Sequence, residues 1–319
     1  MTGGQALVQS LKREGVSIVF GLPGVQLDWA FDALYEERDS IHVVHTRHEQ
    51  ATAYMADGYA RSTGQIGTCL VVPGPGLLNA TAGLSTAYAC SSPVLCVTGQ
   101  IQSDLIGAGR GVLHEIPEQL RLVGSVTKWA ARAMQPTDIP GMVREAFRQL
   151  RSGRPRPVEI EIPPDILAAS TDITLLDPAE VRRTAGDSEL LERAAQILGR
   201  AARPLIFAGG GVISGNASEE LRVLAETLES PVLASRNGRG VLSDRSYLSA
   251  NTISMPDLVA AADVIVAVGT RFDQPANALW PSGADRTVIQ LDVDSAEIGR
   301  NLQPAIGIVG DARLGLAEL

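Results

Sequence analysis

Three short stretches hold the residue types from which a ligand site can be assembled: Gly21-Leu22-Pro23-Gly24, Thr46-Arg47-His48-Glu49-Gln50 and Pro73-Gly74-Pro75-Gly76. Each lies at the end of an apolar run, SIVF, IHVVHT or IGTCLVV. If those runs are parallel strands, all three loops fall at strand carboxyl ends, where open α/β sheets form their ligand crevices. Gly and Pro there allow sharp turns and the close approach of a flat ring to backbone. The acid among them is Glu49, which closes a strand and opens a helix with the small face Ala51, Tyr54, Met55, Gly58 and Tyr59. The helix macrodipole favours any acidic residue at that place, so Glu49 gains meaning from the neighbouring loops, not from its own position.

The elements that would position these loops alternate. Helix-like TGGQALVQSLKREG, VQLDWAFDALYEE, EQATAYMADGYARSTG and LLNATAGLSTAYAC separate the strands SIVF, IHVVHT, IGTCLVV and PVLCVTG. An irregular stretch, VTKWAARA, helical IPGMVREAFRQLRSG and the strand PVEIEI follow. Continuous apolar strands separated by helices predict a parallel sheet covered on both faces. Past Pro163-Pro164 the periodicity fades, and 166–187 reads as a linker. A second α/β run then begins with SELLERAAQILGRA and includes the strands PLIFAGGG, PVLAS, DVIVAVG, TVIQLDVD and IGIVG. The expectation is two doubly wound parallel-sheet domains, 1–165 and 188–319.

The 319 residues suffice for two such cores, and 45% apolar with 20% charged residues is a globular composition. A net charge of −9 argues against nucleic acid or an anionic membrane as partner. No apolar run is long enough for a bilayer span and the first residues lack a signal-peptide layout, so a cytoplasmic protein is expected. Cys69, Cys90 and Cys96 form no CxxC pair and read as buried thiols; with His42, His45, His48 and His114 they make no metal-ligand pattern. No metal site is expected from this chain's own residues.

The run from Arg47 to Gln100 carries HEQ, a helix with Gly58-Tyr59-Ala60-Arg61, then Gly74-Pro75-Gly76, Asn79 and Thr98-Gly99-Gln100. In this order and register it closely resembles the pyrimidine-binding domain of thiamine diphosphate-dependent, acetolactate synthase-like enzymes, and the upstream VFGLPG resembles that family's turn. The resemblance runs through both domains. It implies that Glu49 hydrogen-bonds a pyrimidine nitrogen and favours the imino tautomer, whose exocyclic nitrogen takes the thiazolium C2 proton. Such a carboxyl needs a dry apolar pocket. The resemblance further implies that Pro23, Gly24, Val72, Pro75 and Asn79 line the pyrimidine pocket, and that Gln100 and Lys128 face the reacting end of the cofactor. His114, beside Glu115, is a further candidate in a stretch where members differ; a structural Lys128 and a capping Asn79 stay open.

PLIFAGGGV, ADVIVAVGTRFDQ and VIQLDVDSAEIGRN resemble the family's central, Rossmann-like domain, in which acetolactate synthases hold FAD. Gly209, Gly210, Gly211 and Asp292 are the flavin candidates, although this is no GxGxxG turn and FDQPANALWPS departs from the flavin-binding pattern. The family binds the cofactor's diphosphate through Mg²⁺ on a GDG…N motif in a third domain, and no such motif occurs here. The closing pattern DARLGLAEL has no helix stop, so the expectation is part of a larger enzyme, as a fragment or a natural split, inactive alone. The implied whole is a homodimer or homotetramer that decarboxylates a 2-keto acid such as pyruvate and passes the carbanion to a second carbonyl. A benzoylformate-type decarboxylase, and a noncatalytic nucleotide- or FAD-binding module or regulatory paralogue, remain as alternatives.

Overall fold

The computed structural model describes residues 1–251, 253–272 and 286–319; most of FDQPANALWPS lies outside them. The chain divides into two compact units, Met1–Val181 and Arg182–Leu319.

The first unit runs α1 (Gly3–Arg13), β1 (Ile18–Gly21), α2 (Asp28–Glu36), β2 (His42–His45), α3 (Glu49–Thr63), β3 (Gly67–Val71) and α4 (Pro75–Cys90). It continues with β4 (Val94–Gly99), α5 (Gln119–Val123), β5 (Trp129–Arg132), α6 (Ile139–Arg151), β6 (Val158–Ile162) and α7 (Pro164–Ala168). The strands form one parallel sheet in the order β2-β1-β3-β4-β6-β5. From β1 the chain first adds a strand on one side and then returns to the other. The order therefore reverses between β1 and β3, and an open sheet leaves its crevice at the carboxyl ends flanking that point.

Alternation along the strands sends side chains to two cores. Val19, Leu70, Leu95, Val97 and Ile160 pack with α1, α2 and α6, while Phe20, Cys69, Val71 and Cys96 face the α3–α4 layer. On α3 the buried Ala53, Ala56, Asp57 and Ala60 recur at helical spacing, giving one narrow face of small side chains. That face lets α4 approach until a Cβ on Gly83 would lie 2.6 Å from Ala53 Cβ and 2.8 Å from Tyr54 N. α3 begins where His48, in extended conformation, accepts the Gln50 amide on its ring, and it ends at Gly64, whose φ of 73° is the left-handed C-terminal geometry glycine favours.

The expected linker begins inside the first unit. Residues 164–168 are the short helix α7, Asp165 accepts from the Ser103 amide and hydroxyl, and Ser170 bridges to Thr2. Lacking a long periodic pattern, this segment gave no signal in the sequence.

The second unit runs α8 (Ser188–Leu198), β7 (Pro204–Ala208), α9 (Gly210–Ser214), α10 (Ser218–Leu228), β8 (Val232–Ala234) and β9 (Ser249–Ala250). α11 (Met255–Ala261), β10 (Val264–Val268), β11 (Thr287–Asp292), β12 (Ile306–Val309) and α12 (Ala312–Glu318) complete its described elements. Its parallel sheet, β12-β11-β10-β7-β8-β9, has the doubly wound order of dinucleotide-binding folds. β9 is only two residues long and too short to register as an apolar run. No helix among the described residues is long and apolar enough to cross a membrane.

Candidate active site

The reversal between β1 and β3 brings the first and third loops together. Val72, buried just beyond β3, is the contact: a Cβ on Gly24 would lie 2.4 Å from Val72 Cγ1, and one on Gly76 would lie 2.5 Å from Val72 Cγ2. Both glycines are thus fixed by one valine, which forms an apolar wall between the turns. Pro23 and Pro75 sit exposed on either side.

The Pro73–Gly76 turn is closed by the Gly76 amide donating to Pro73 O at 3.3 Å. Gly74 adopts φ 57° and ψ −116°, the glycine geometry of the first central residue in a type II′ turn. Pro75 then starts α4 at a position where its missing N–H costs nothing.

Glu49, the first residue of α3, lies half-buried over the opening of α4. Asn79 Nδ2 donates to its Oε2 at 3.0 Å, and Oε1 lies 3.5 Å from where a Gly76 Cβ would stand. Oε1 accepts no hydrogen bond among the described residues, leaving one carboxylate oxygen available beside the Val72 wall. Asn79 therefore holds the acid's side chain; it does not cap backbone amides of its helix.

Other candidates are placed differently. Gln100 is buried at the carboxyl end of β4, donating to Glu161 Oε1 at 3.2 Å and accepting the Ile101 amide at 2.8 Å; its amide is engaged inside the fold. Lys128 precedes β5 and so stands at the opposite, amino-terminal edge of the sheet, where Nζ donates to Ser152 O and Arg154 O at 2.9 and 3.0 Å. Of the two readings left open for Lys128, this placement favours the structural one, since a lysine before a parallel strand lies away from the edge after it. His114, with φ 70°, does reach the site, since its carbonyl covers Gly74 and its Nδ1 lies 3.0 Å from Gln26 Oε1. It does not pair with Glu115, whose carboxylate accepts the Gly111 and Val112 amides.

A polar cluster behind the Gly74 turn had no sequence assignment. Glu161 on β6 is fully buried and accepts from Arg132, Gln100 and Gln119. Glu159, two residues earlier on the same face, is also fully buried, and among the described residues neither of its oxygens meets a donor in full hydrogen-bonding geometry. Burial pushes the Glu159 carboxyl well up from the ordinary value; the Glu161 and Cys96 charges add to this, and the Thr98 hydroxyl and Arg132 offset part of it. The charged residues alternating in VEIEI were the available signal, because such a strand inside a covered sheet must bury two acids. Cys69 and Cys96 pair across β3 and β4, and their mutual contact together with burial pushes the Cys96 thiol up. Among the described residues no group of three or more His, Cys, Asp or Glu side chains is placed to hold a metal.

In the second unit, Gly209, Gly210 and Gly211 follow β7 and Asp292 ends β11. The Gly209 amide donates to Val268 O and the Gly211 amide to Gly269 O, and a Cβ on Gly209 would lie 2.0 Å from Gly269 O. Two of the three amides are thus used inside the sheet edge, and these glycines allow two backbone segments to touch. Asp292 is buried and accepts the Asp294 amide at 2.9 Å.

Residues 1–122 match the family model described as thiamine pyrophosphate enzyme, N-terminal TPP binding domain, and residues 191–319 match thiamine pyrophosphate enzyme, central domain. The chain belongs to the thiamine pyrophosphate enzymes. All of it aligns with the probable acetolactate synthase large subunit of Methanocaldococcus jannaschii, at 39% identity over 56% of that protein. All of it likewise aligns with the acetolactate synthase of Arthrospira platensis, at 35% identity over 58%, and with the probable 2-ketoarginine decarboxylase of Pseudomonas aeruginosa, at 37% over 57%. The chain thus spans little more than half the length of these relatives. Among thiamine pyrophosphate enzymes it supplies the N-terminal cofactor-binding and central domains.

The first unit's residues suit the pyrimidine end of that cofactor. A carboxylate with one held and one available oxygen, an apolar valine wall and turns stripped of side chains make a place for a flat heteroaromatic ring that presents a protonatable nitrogen.

Proposed function

We propose that this chain forms the pyrimidine-holding and central parts of an enzyme that decarboxylates a 2-keto acid, such as pyruvate, and joins the product to a second carbonyl compound. The observation that carries this reading is the Glu49 carboxylate, held at Oε2 by Asn79 and available at Oε1 beside Val72 and Gly76. When bound, thiamine diphosphate supplies the nucleophilic carbon and accepts the electrons released as CO2 leaves.

The chain's own residues have distinct tasks. Glu49 would exchange a proton at Oε1 with a nitrogen of the bound pyrimidine and help to orient that ring. Asn79 fixes the carboxylate rotamer. Val72 would support the apolar face of such a ring, with Gly24 and Gly76 keeping the approach clear and Pro23 and Pro75 stiffening its rims. Mg²⁺ and the diphosphate are assigned to a third domain outside this chain. A half-buried Glu49 and an exposed Asn79 need further cover to exclude water, which supports a homodimer or homotetramer with the site closed by a second subunit. The central unit serves as scaffold, with no flavin assigned to Gly209–Gly211, and a cytoplasmic location fits this chemistry.

The test is CO2 release from pyruvate by the full-length protein with thiamine diphosphate and Mg²⁺, and its loss in Glu49→Gln. Near-normal rates in that variant would refute the reading. Decarboxylation without joining is a second reading, supported by the likeness to the probable 2-ketoarginine decarboxylase; an aldehyde as sole organic product would select it.

A further inference from the structure

The Gly74 turn is gripped from behind by one side chain. Gln119, the first residue of α5, is 1% exposed. Its Oε1 accepts the Gly74 amide at 3.0 Å, while its Nε2 donates to Gly99 O at 3.1 Å and to Glu161 Oε2 at 2.8 Å. One acceptor faces a donor and two hydrogens face acceptors, so only one orientation of this amide satisfies the site; turned over, its oxygen would oppose a carbonyl and a carboxylate. Glu161 is in turn anchored by Arg132 and Gln100. Gly74 occupies a backbone region of little intrinsic preference for most residues but open to glycine in several directions, so the turn needs an outside constraint to stay in one conformation. Gly76 and Asn79, which meet Glu49, follow directly from it.

We propose that Gln119 is a positioning residue, which fixes the Pro73–Gly76 turn and through it the opening of α4, so that Asn79 meets Glu49 in register. Its consequence for catalysis rests on the cofactor reading of Glu49. Gln119→Met keeps the volume and removes all three hydrogen bonds.

Amide hydrogen exchange and NMR on the 319-residue chain provide the readout. In Gln119→Met the Gly74 amide should exchange at least about tenfold faster and the Asn79 side-chain amide resonances should shift, while the Leu95 and Val97 amides keep their protection. Gln119→Asn, which retains the amide but is one methylene short, should give a smaller change and serves if the Met variant does not fold. In the full-length enzyme, Gln119→Met should lower kcat about tenfold with KM within about twofold, the pattern of misplaced chemistry. An unchanged Gly74 rate overturns the inference, as does a faster rate with the Asn79 resonances in place. Glu49→Gln should leave Gly74 protected. If Gly74 opens in Gln119→Met but the wild-type enzyme shows no thiamine-dependent chemistry, the turn's dependence on Gln119 stands and the reading of Glu49 fails.

Discussion

Asn79 Nδ2, on the second turn of α4, donates to Glu49 Oε2, on the first residue of α3, at 3.0 Å. Two helices that follow different strands thus share one hydrogen bond at the crevice of the sheet, and it leaves Glu49 Oε1 turned toward Gly76 and Val72. Glu49→Gln can still accept from Asn79 through its amide oxygen but cannot exchange a proton. Turnover of the full-length enzyme should fall by about 10²–10⁴, the usual share of acid–base catalysis. The thermal midpoint of the variant, measured alongside, should stay near wild type.

Asn79→Ala removes the hydrogen bond that holds the carboxylate in place. A hydrogen bond to a charged group contributes about 1.5–3 kcal/mol, but this one is partly exposed, so the loss should fall at or below the low end. We expect kcat to drop about tenfold, with Asn79→Asp falling further because two carboxylates would then face each other. Steady-state kinetics on both variants checks the order.

Val72 supports both turns, which makes their coupling measurable. Gly24→Ala places a methyl 2.4 Å from Val72 Cγ1 and should cost about 1–3 kcal/mol as an overpacking change. Adding Val72→Ala removes the clashing atoms, so the double variant should be more stable than additivity predicts. Urea unfolding of the two single variants and the double variant measures this; strict additivity would show that the glycine and the valine do not meet.

Glu159 links stability to pH. Its carboxyl is raised from 4.5, first by burial and then by the Glu161 charge. A raised acid in the folded state favours folding while it is protonated in both states, and this contribution is lost as pH climbs from the unfolded value through the folded one. Glu159→Gln removes that loss. The difference in urea midpoint between the variant and wild type should therefore widen in the variant's favour as pH rises above the ordinary carboxylate value.

Gly209→Ala would drive a methyl into Gly269 O, at 2.0 Å. The second unit should lose roughly 1–3 kcal/mol or more, seen as a lower unfolding midpoint with no change in any flavin absorbance.

The two sheets and the three loops at their strand ends were legible in the sequence because strand, loop and helix are local patterns. Glu49 stood out only through the resemblance carried jointly by HEQ, Gly74-Pro75-Gly76 and Asn79, since its partners in space come from another segment of the chain. Gln119 did not stand out, since its partners Gly74, Gly99 and Glu161 come from three separate segments and only the folded sheet joins them. The two readings of Lys128 stayed open because its sequence surroundings do not show which edge of the sheet it faces. The acids in VEIEI were visible as letters, but their burial depended on β5 lying outside β6, an order that no local pattern specifies.

The crossing at Gly83 has an effect felt about one turn away along each helix. With no side chain there, the two helices rest backbone to methyl, and this contact acts as the fulcrum of a lever whose far ends are the acid and its amide partner. Any larger residue at the fulcrum would splay those ends apart and lengthen the hydrogen bond between them. The geometry between the acid and its amide partner thus depends on an inert glycine as well as on their own hydrogen bond.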